Sequence, residues 1–125
     1  MVEILYKELS YQVIGAAMEV HNTLGPGFLE KVYETALAHE LKLCGIDVET
    51  QYPLSVTYKG QVVGDYLADL IVEKKIILEL KAINKLADIH TAQAVNYLAA
   101  TGLKLAILLN FGAPKLEYKR LVRHQ

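Results

Sequence analysis

Three charged residues stand inside two short apolar runs near the middle of the chain. Asp69 lies in the run that ends at Val72, and Glu79 and Lys81 lie in the run that begins at Ile76. Buried strands rarely carry ionised side chains unless these are paired or bind a metal ion. Two carboxylates are hard oxygen ligands for a divalent cation, and a neighbouring lysine can stabilise negative charge that develops in a reaction. These three residues are therefore the first candidates for a site of chemistry.

The two apolar runs predict a β-hairpin that turns at residues 73–75. Side chains alternate between the two faces of a strand, so Glu79 and Lys81 project from the same face. Asp69 shares that face only if paired residues have numbers that add to an even value, as when Asp69 lies opposite Glu79 or Lys81. A two-residue turn would place Asp69 on the other face. We therefore predict an odd-length turn or a bulge at residues 73–75.

The rest of the chain predicts three helices and a mixed β-sheet. Apolar residues at helical spacing, ended by glycine, predict helices over about residues 3–24, 28–44 and 88–101. Alternating or continuous apolar runs predict strands over 48–58, 62–72, 76–81, 105–109 and 116–122. In the first strand the even-numbered residues predict one buried face, and Pro53 predicts an edge position or a bulge. The third and fourth strands and the helix between them predict a right-handed β-α-β crossover with parallel strands.

At the charged hairpin the sequence resembles a known motif. Asp69 followed by Glu79-Leu80-Lys81 is similar to the motif of the PD-(D/E)XK nuclease superfamily, with Ala68 in the position of the motif's proline. Residues 27–33, which contain Glu30 and Tyr33, resemble the signature of the GxxExxY proteins, a family of small chains in that superfamily. Gln93 and Tyr97 match the QxxxY helix motif of its exonuclease-like branches. The resemblance spans residues 14–123.

The resemblance implies an α/β fold with a mixed sheet: a restriction-endonuclease-like core with two N-terminal helices and a central β-α-β crossover. It also implies a metal-dependent nuclease that hydrolyses phosphodiester bonds of DNA or RNA. Water attacks such a bond in line while charge builds on the phosphoryl and leaving oxygens. The expected cofactor is Mg²⁺, with Mn²⁺ as an alternative, because the available ligands are hard oxygens.

Each candidate residue has an expected role in that chemistry. The expected metal ligands are Asp69, Glu79, the Leu80 carbonyl and Glu30. Lys81 is expected to orient the attacking water or to stabilise developing charge, and Glu30 to orient a water or complete a second metal site. The expected substrate contacts are Gln93, Tyr97 and Tyr33. His90 shares a helix face with Gln93 and Tyr97, and Asp65 is a second acid that ranks behind Asp69.

Length and composition limit the other expectations. The 125 residues predict one domain over 1–125, with 53% hydrophobic residues and a net charge of −1. The single Cys44 excludes an intrachain disulfide and, with no run long enough for a membrane span, favours the cytoplasm. Residues 101–125 hold five Lys or Arg against one acid, a basic edge that suits either phosphate contact or protection of an edge strand. A domain this small also suggests a homodimer or a protein partner on a duplex.

Two classes of function compete on these residues. The alternative to a nuclease is a catalytically silent module that keeps the fold and binds a protein or nucleic-acid partner; hydrolysis of another phosphate ester is a third reading. The charged residues would then only form a buried pair of Lys81 with Glu79 or Asp69, although such pairs stabilise poorly. Serine or cysteine hydrolase chemistry and nucleotide-driven work lack their motifs.

Overall fold

The computed structural model describes residues 4–123 of the chain. Three helices and five strands follow one another in the order α1, α2, β1, β2, β3, α3, β4, β5. Their bounds are α1 Lys7–Leu24, α2 Glu30–Leu43, β1 Val48–Tyr58, β2 Gln61–Val72, β3 Ile76–Lys81, α3 Asp88–Thr101, β4 Leu105–Asn110 and β5 Glu117–Val122. In the described residues, no helix is long and apolar enough to cross a membrane.

The five strands form one mixed sheet in the order β1-β2-β3-β4-β5. Three of the four neighbouring pairs are antiparallel, and β3 pairs with β4 in parallel, with Leu78 opposite Ile107. The expected mixed sheet and the parallel crossover through α3 are thus confirmed. All six residues of β4 are buried, as a continuous apolar run in an interior strand predicts.

Helices cover both faces of the sheet. On one face, α1 and α2 bury a large apolar cluster that includes Val13, Leu37 and Leu41 against Leu78 and Ile107. On the other face, α3 packs a smaller cluster through Ala94 and Leu98. We call these the α1/α2 face and the α3 face. Burial on both faces explains how β3 and β4 tolerate almost unbroken runs of apolar residues.

The ends of the two N-terminal helices differ from the predicted ones. In the described residues, α1 begins at Lys7, and the predicted start at Glu3 lies outside them. Helix α2 begins at Glu30 instead of Phe28, because Leu29 has extended backbone angles at the N-cap. Glu30 is therefore the first residue of α2, where the helix dipole favours an acid. Helix α3 has the predicted bounds, and Gly102 ends it in a left-handed conformation.

The prediction of one buried face along β1 was wrong. Leu54 is the only residue of β1 that is buried; Tyr58 is 62% exposed. The reason is its position in the sheet. β1 is an edge strand, and its residues 53–58 pair with a part of β2 that is not paired with β3. Pro53 lies on this edge strand, as its missing N–H predicts, and a register irregularity falls further along, between Val56 and Thr57.

Strands β1 and β2 also change faces near their middle. In β2, Leu70 packs on the α1/α2 face while Ala68 packs on the α3 face, although residues two apart normally share a face. In β1, Val48 and Leu54 differ in the same way, and Gln51 between them has a φ of +51°. The regular pleat is therefore interrupted where β2 carries Asp69.

Candidate functional site

The hairpin of β2 and β3 has the register that the charged residues require. Leu70 pairs with Leu78 and Val72 pairs with Ile76, so the numbers of paired residues add to an even value. Residues 73–75 form the turn between them, and Glu73 and Lys74 adopt positive φ angles of +50° and +57°. The predicted odd-length turn is confirmed. Its register places Asp69 across from Glu79.

The regular pairing of β2 with β3 stops just before these two acids. The last paired residues are Leu70 and Leu78. Beyond these residues, hydrogen bonds from backbone N–H groups to carboxylates take the place of the bonds between the two backbones. The Leu80 N–H donates to Asp69 Oδ2 at 2.8 Å, and the Asp69 N–H donates to Glu79 Oε1 at 3.4 Å. Each carboxyl group has a second oxygen that these bonds do not use. The parting of the two strands thus brings both acids together at one opening.

Helix α2 brings two more acids toward this opening. Glu30 lies at its first position, and its charge interacts with those of Asp69 and Lys81. Glu34, one helical turn later, is 4% exposed and binds Lys31 Nζ at 2.5 Å. Gln51, with its positive φ angle, donates from Nε2 to Glu34 Oε1. The sequence reasoning missed Glu34; the i, i+4 spacing from Glu30 is the signal that could have found it.

The expected substrate contact at Tyr33 was wrong. Its side chain is 0% exposed and its ring stacks on Phe111, with centroids 4.8 Å apart. Its hydroxyl donates to the Gly25 carbonyl at 2.5 Å and accepts from the Phe28 N–H at 3.1 Å. Tyr33 therefore holds the turn between α1 and α2, the turn that directs Glu30 into the first position of the helix.

Helix α3 supplies the third wall of the opening. Gln93 Oε1 accepts a hydrogen bond from Lys81 Nζ at 3.0 Å, and Gln93 also bonds the Tyr97 hydroxyl. In the described residues, Lys81 forms no ion pair with Glu79 or Asp69, so the alternative of a buried structural ion pair is not observed. His90 instead accepts the Ala87 N–H at Nδ1 and caps α3. Gln93 and Tyr97 are thus close to the charged hairpin, as the helix motif predicts.

Burial and mutual repulsion make the carboxyl groups hard to ionise. Burial and then the negative charge of Asp69 raise the pKa of Glu79 from 4.5 to about 8, although Lys81 opposes the shift. Burial also raises the pKa of Asp69, against the hydrogen bond from the Leu80 N–H. Burial and the charge of Asp69 raise the pKa of Glu30. The positive charge on the chain does not compensate these acids, so the site favours an added cation.

The donor atoms suit a hard divalent ion held largely by two residues. Across residues 4–123, no three His, Cys, Asp or Glu side chains form a group that could hold a metal ion. Glu30 interacts electrostatically with Asp69 and Glu79 but does not form a three-carboxylate group with them in the described residues, and its expected role as a ligand stays a prediction. An ion at Asp69 and Glu79 would complete its shell with backbone carbonyl oxygens and water, which is common for Mg²⁺.

Asp65 is not part of this opening. It is exposed on β2 and accepts a hydrogen bond from Ser55 Oγ at 3.0 Å across the β1–β2 ladder. That contact is local to the hairpin. The lower rank given to this second acid agrees with its position.

A mixed five-stranded sheet between helices, with two acids and a lysine where neighbouring strands part, defines a restriction-endonuclease-like fold. The chain belongs to the PD-(D/E)XK nuclease superfamily, whose family model matches residues 7–121. This match supports a nuclease type of function. It does not distinguish the GxxExxY proteins from other branches.

A solved structure shares the fold at low sequence identity. The structure titled "Crystal structure of SSO0001" superimposes with a TM-score of 0.64 at 19% identity. The match covers 95% of this chain and 63% of that chain, so the present chain spans less than two thirds of its neighbour. At this identity the likeness concerns the fold alone. No curated protein matches the chain.

Proposed function

We propose that this protein is a metal-dependent nuclease of the GxxExxY type that hydrolyses phosphodiester bonds of nucleic acid. The observation that carries the proposal is the pair of acids at the opening between β2 and β3. Asp69 and Glu79 lie across from each other, both with raised pKa values, and Lys81 does not pair with either. A structural ion pair would have satisfied these charges, whereas a cation site requires them to be uncompensated.

In this proposal Asp69, Glu79 and the Leu80 carbonyl hold Mg²⁺ or Mn²⁺. The ion, when bound, supplies a Lewis acid that neutralises charge on the phosphoryl and leaving oxygens. The Asp69 carboxylate is fixed in place by the Leu80 N–H, so its position does not depend on the ion. Glu79 must lose its proton before it can act as a ligand, since its pKa is about 8.

The remaining residues act on water and phosphate. Gln93 fixes the Lys81 ammonium group, which orients the attacking water and stabilises developing negative charge. Glu30, exposed at the margin of the opening, accepts a proton from a water or orients it. Glu34 belongs to the same acid cluster; it pairs with Lys31 within α2, and its hydrogen bond from Gln51 joins α2 to β1.

A silent binding module is the second candidate, and one observation favours it. The end of the β1–β2 hairpin that carries its turn exposes many apolar side chains, among them Tyr58, Val63 and Leu67. Exposed apolar groups on a hairpin suit a protein partner or a second copy of the chain. In this reading the chain binds a partner without cleaving anything.

The test is cleavage of end-labelled single-stranded and double-stranded DNA and RNA, with Mg²⁺, with Mn²⁺ and with EDTA. We expect metal-dependent products from the wild type. Glu79→Gln should remove them because it removes a ligand, and Lys81→Met should slow cleavage by about 10²- to 10³-fold. Lys115→Met, which changes an exposed lysine in the loop before β5, is the matched control and should cleave normally.

The outcomes separate the two candidates. Cleavage that disappears with EDTA and in Glu79→Gln supports the nuclease. Equal activity in wild type and Glu79→Gln would identify a contaminating enzyme. No cleavage of any of the four substrates, with no heat of Mg²⁺ or Mn²⁺ binding by calorimetry, would favour the silent module.

A further inference from the structure

A groove runs from the candidate site along the outer side of α3. Its volume is about 930 Å³, and it lies between α3 and the end of the β1–β2 hairpin. The hairpin contributes Ser55, Thr57 and Tyr66, and α3 contributes Asn96. The volume is near the upper end of the range of about 300–1,000 Å³ for sites that bury a drug-sized ligand. The groove is therefore large enough for a short run of nucleotides.

The groove is continuous with the proposed site. Lys81, Gln93 and Tyr97 line the groove and also surround the acids of the opening. A chain lying in the groove would therefore reach Lys81, which stands next to the opening that holds the two carboxylates.

The groove has a charge that differs from the rest of the molecule. Lys81 is its one Lys or Arg, and no Asp or Glu lines it, although the chain as a whole carries a net charge of −1. A polyanion thus meets one cation and no carboxylate along this path. Lys119 of β5 contacts Thr91 of α3, and neither residue lines the groove.

An aromatic ring stands open on the groove wall. Tyr66 is 47% exposed, and its ring lies 5.8 Å from the ring of Tyr97 at an angle of 49°. Aromatic rings bind unpaired bases by stacking, at about 1–3 kcal/mol per base, whereas the bases of a duplex are stacked on each other. A duplex also presents dense phosphate charge that needs many Lys or Arg contacts. One lysine beside an open tyrosine suits a single strand.

We propose that this groove binds single-stranded nucleic acid, with a base stacked on Tyr66 and the adjoining phosphate directed to Lys81. The proposal rests on the proposed nuclease function, for which it names the substrate class. The wall of the groove selects single strands over duplexes. Residues 61–68 of β2 pair only with β1, and this end of the hairpin closes one side of the groove. A flexible single strand can enter such a channel, whereas a stiff duplex would have to lie outside it.

The test measures binding in EDTA, where cleavage does not occur. Fluorescently labelled oligothymidylate and oligouridylate of about 12 nucleotides are compared with a duplex of the same length by anisotropy at low salt. We expect either single strand to bind at least about tenfold more tightly than the duplex. Tyr66→Ala should weaken single-strand binding about tenfold, and Tyr66→Phe should leave it nearly unchanged because the ring remains.

Two further variants keep the result interpretable. Tyr58→Ala makes the same change at an exposed tyrosine of the same hairpin outside the groove and should leave binding unchanged. Asn96→Glu adds a negative charge to the exposed wall of α3 and should weaken binding even if Tyr66→Ala fails to fold. Thermal unfolding of each variant reports its folding.

Tighter binding of the duplex, or wild-type binding by both Tyr66→Ala and Asn96→Glu, would overturn the groove proposal. Cleavage of duplex alone would also overturn it while the nuclease function stands. Single-strand binding that depends on Tyr66, without cleavage under any metal condition, would support the groove and overturn the nuclease function.

Discussion

Replacing Glu79 by glutamine should stabilise the metal-free protein, and the gain should grow with pH. The folded protein binds a proton at Glu79 with a pKa of about 8, whereas the ordinary value is 4.5. Between these two values the folded state holds a proton that the unfolded state has lost. The free energy of unfolding of the wild type therefore falls as pH rises, by at most about 1.36 kcal/mol per pH unit.

The full difference between 4.5 and about 8 corresponds to a ceiling of about 5 kcal/mol. Relaxation and water entry lower that ceiling, so we expect a gain of about 2–3 kcal/mol for Glu79→Gln at pH 8. Glutamine resembles the protonated acid but does not titrate. For a domain of this length, each kcal/mol corresponds to a shift in Tm of about 4 °C. The gain at pH 5 should be under about 1 kcal/mol.

The assay is urea and thermal unfolding in EDTA at pH values from 5 to 9, followed by circular dichroism. Glu19→Gln makes the same change at an exposed acid of α1 and should stay within about 0.5 kcal/mol of the wild type at every pH. A difference between Glu79→Gln and wild type that does not change with pH would refute the reasoning. A variant less stable than the wild type at pH 8 would refute it as well.

Three further predictions concern the ion, the turn and the lysine. Mg²⁺ at about ten times its Kd should stabilise the wild type by about 1.4 kcal/mol, seen as a rise in Tm, and should not stabilise Glu79→Gln, which lacks a ligand. Tyr33→Phe should cost about 1–3 kcal/mol in urea unfolding, because the Gly25 carbonyl loses its buried donor, and should leave Mg²⁺ binding intact. Gln93→Leu should lower kcat for nuclease cleavage about tenfold, because Lys81 loses the bond that positions it, with a smaller change in KM.

The predictions for the turn and the lysine each have a matched control. Tyr11→Phe alters a tyrosine that is 78% exposed and should not change stability. Gln61→Leu changes an exposed glutamine at the start of β2 and should cleave like the wild type. Equal stabilisation of wild type and Glu79→Gln by Mg²⁺ would place the ion elsewhere, and loss of Mg²⁺ binding in Tyr33→Phe would contradict a purely structural role.

Local patterns predicted the sheet and the charged hairpin well. The requirement that Asp69 and Glu79 lie on the same face of the hairpin predicted an odd number of residues in the turn at 73–75. One extra residue in the turn would move every side chain of a strand to the other face. Helix α3 and the parallel strand β4 followed from periodicity and length. These features depend on neighbours in sequence. The assignment of residues 1–125 to one domain stays a prediction.

Long-range contacts decided what the patterns could not. The alternation in β1 predicted a buried face, but β1 is an edge strand and Leu54 is its one buried residue. Tyr33 resembled a functional residue, yet Phe111, distant in sequence, packs against its ring. Glu34 was not singled out from the sequence, because its partner Gln51 is 17 positions away and is brought to it by folding. Burial of a side chain is set by its partners, and sequence spacing does not report them.

By itself, the sequence determined the order of the elements and the hairpin register, because these follow from periods of two and 3.6 residues. The candidate acids and lysine were predicted from charges inside apolar runs and from the resemblance to the nuclease motif. Only the tertiary structure decided that β2 and β3 part at Asp69, that Gln93 holds Lys81 and that α2 brings Glu30 and Glu34 toward the same opening. It also decided the raised pKa of Glu79, since that value depends on burial and on charges brought together by folding.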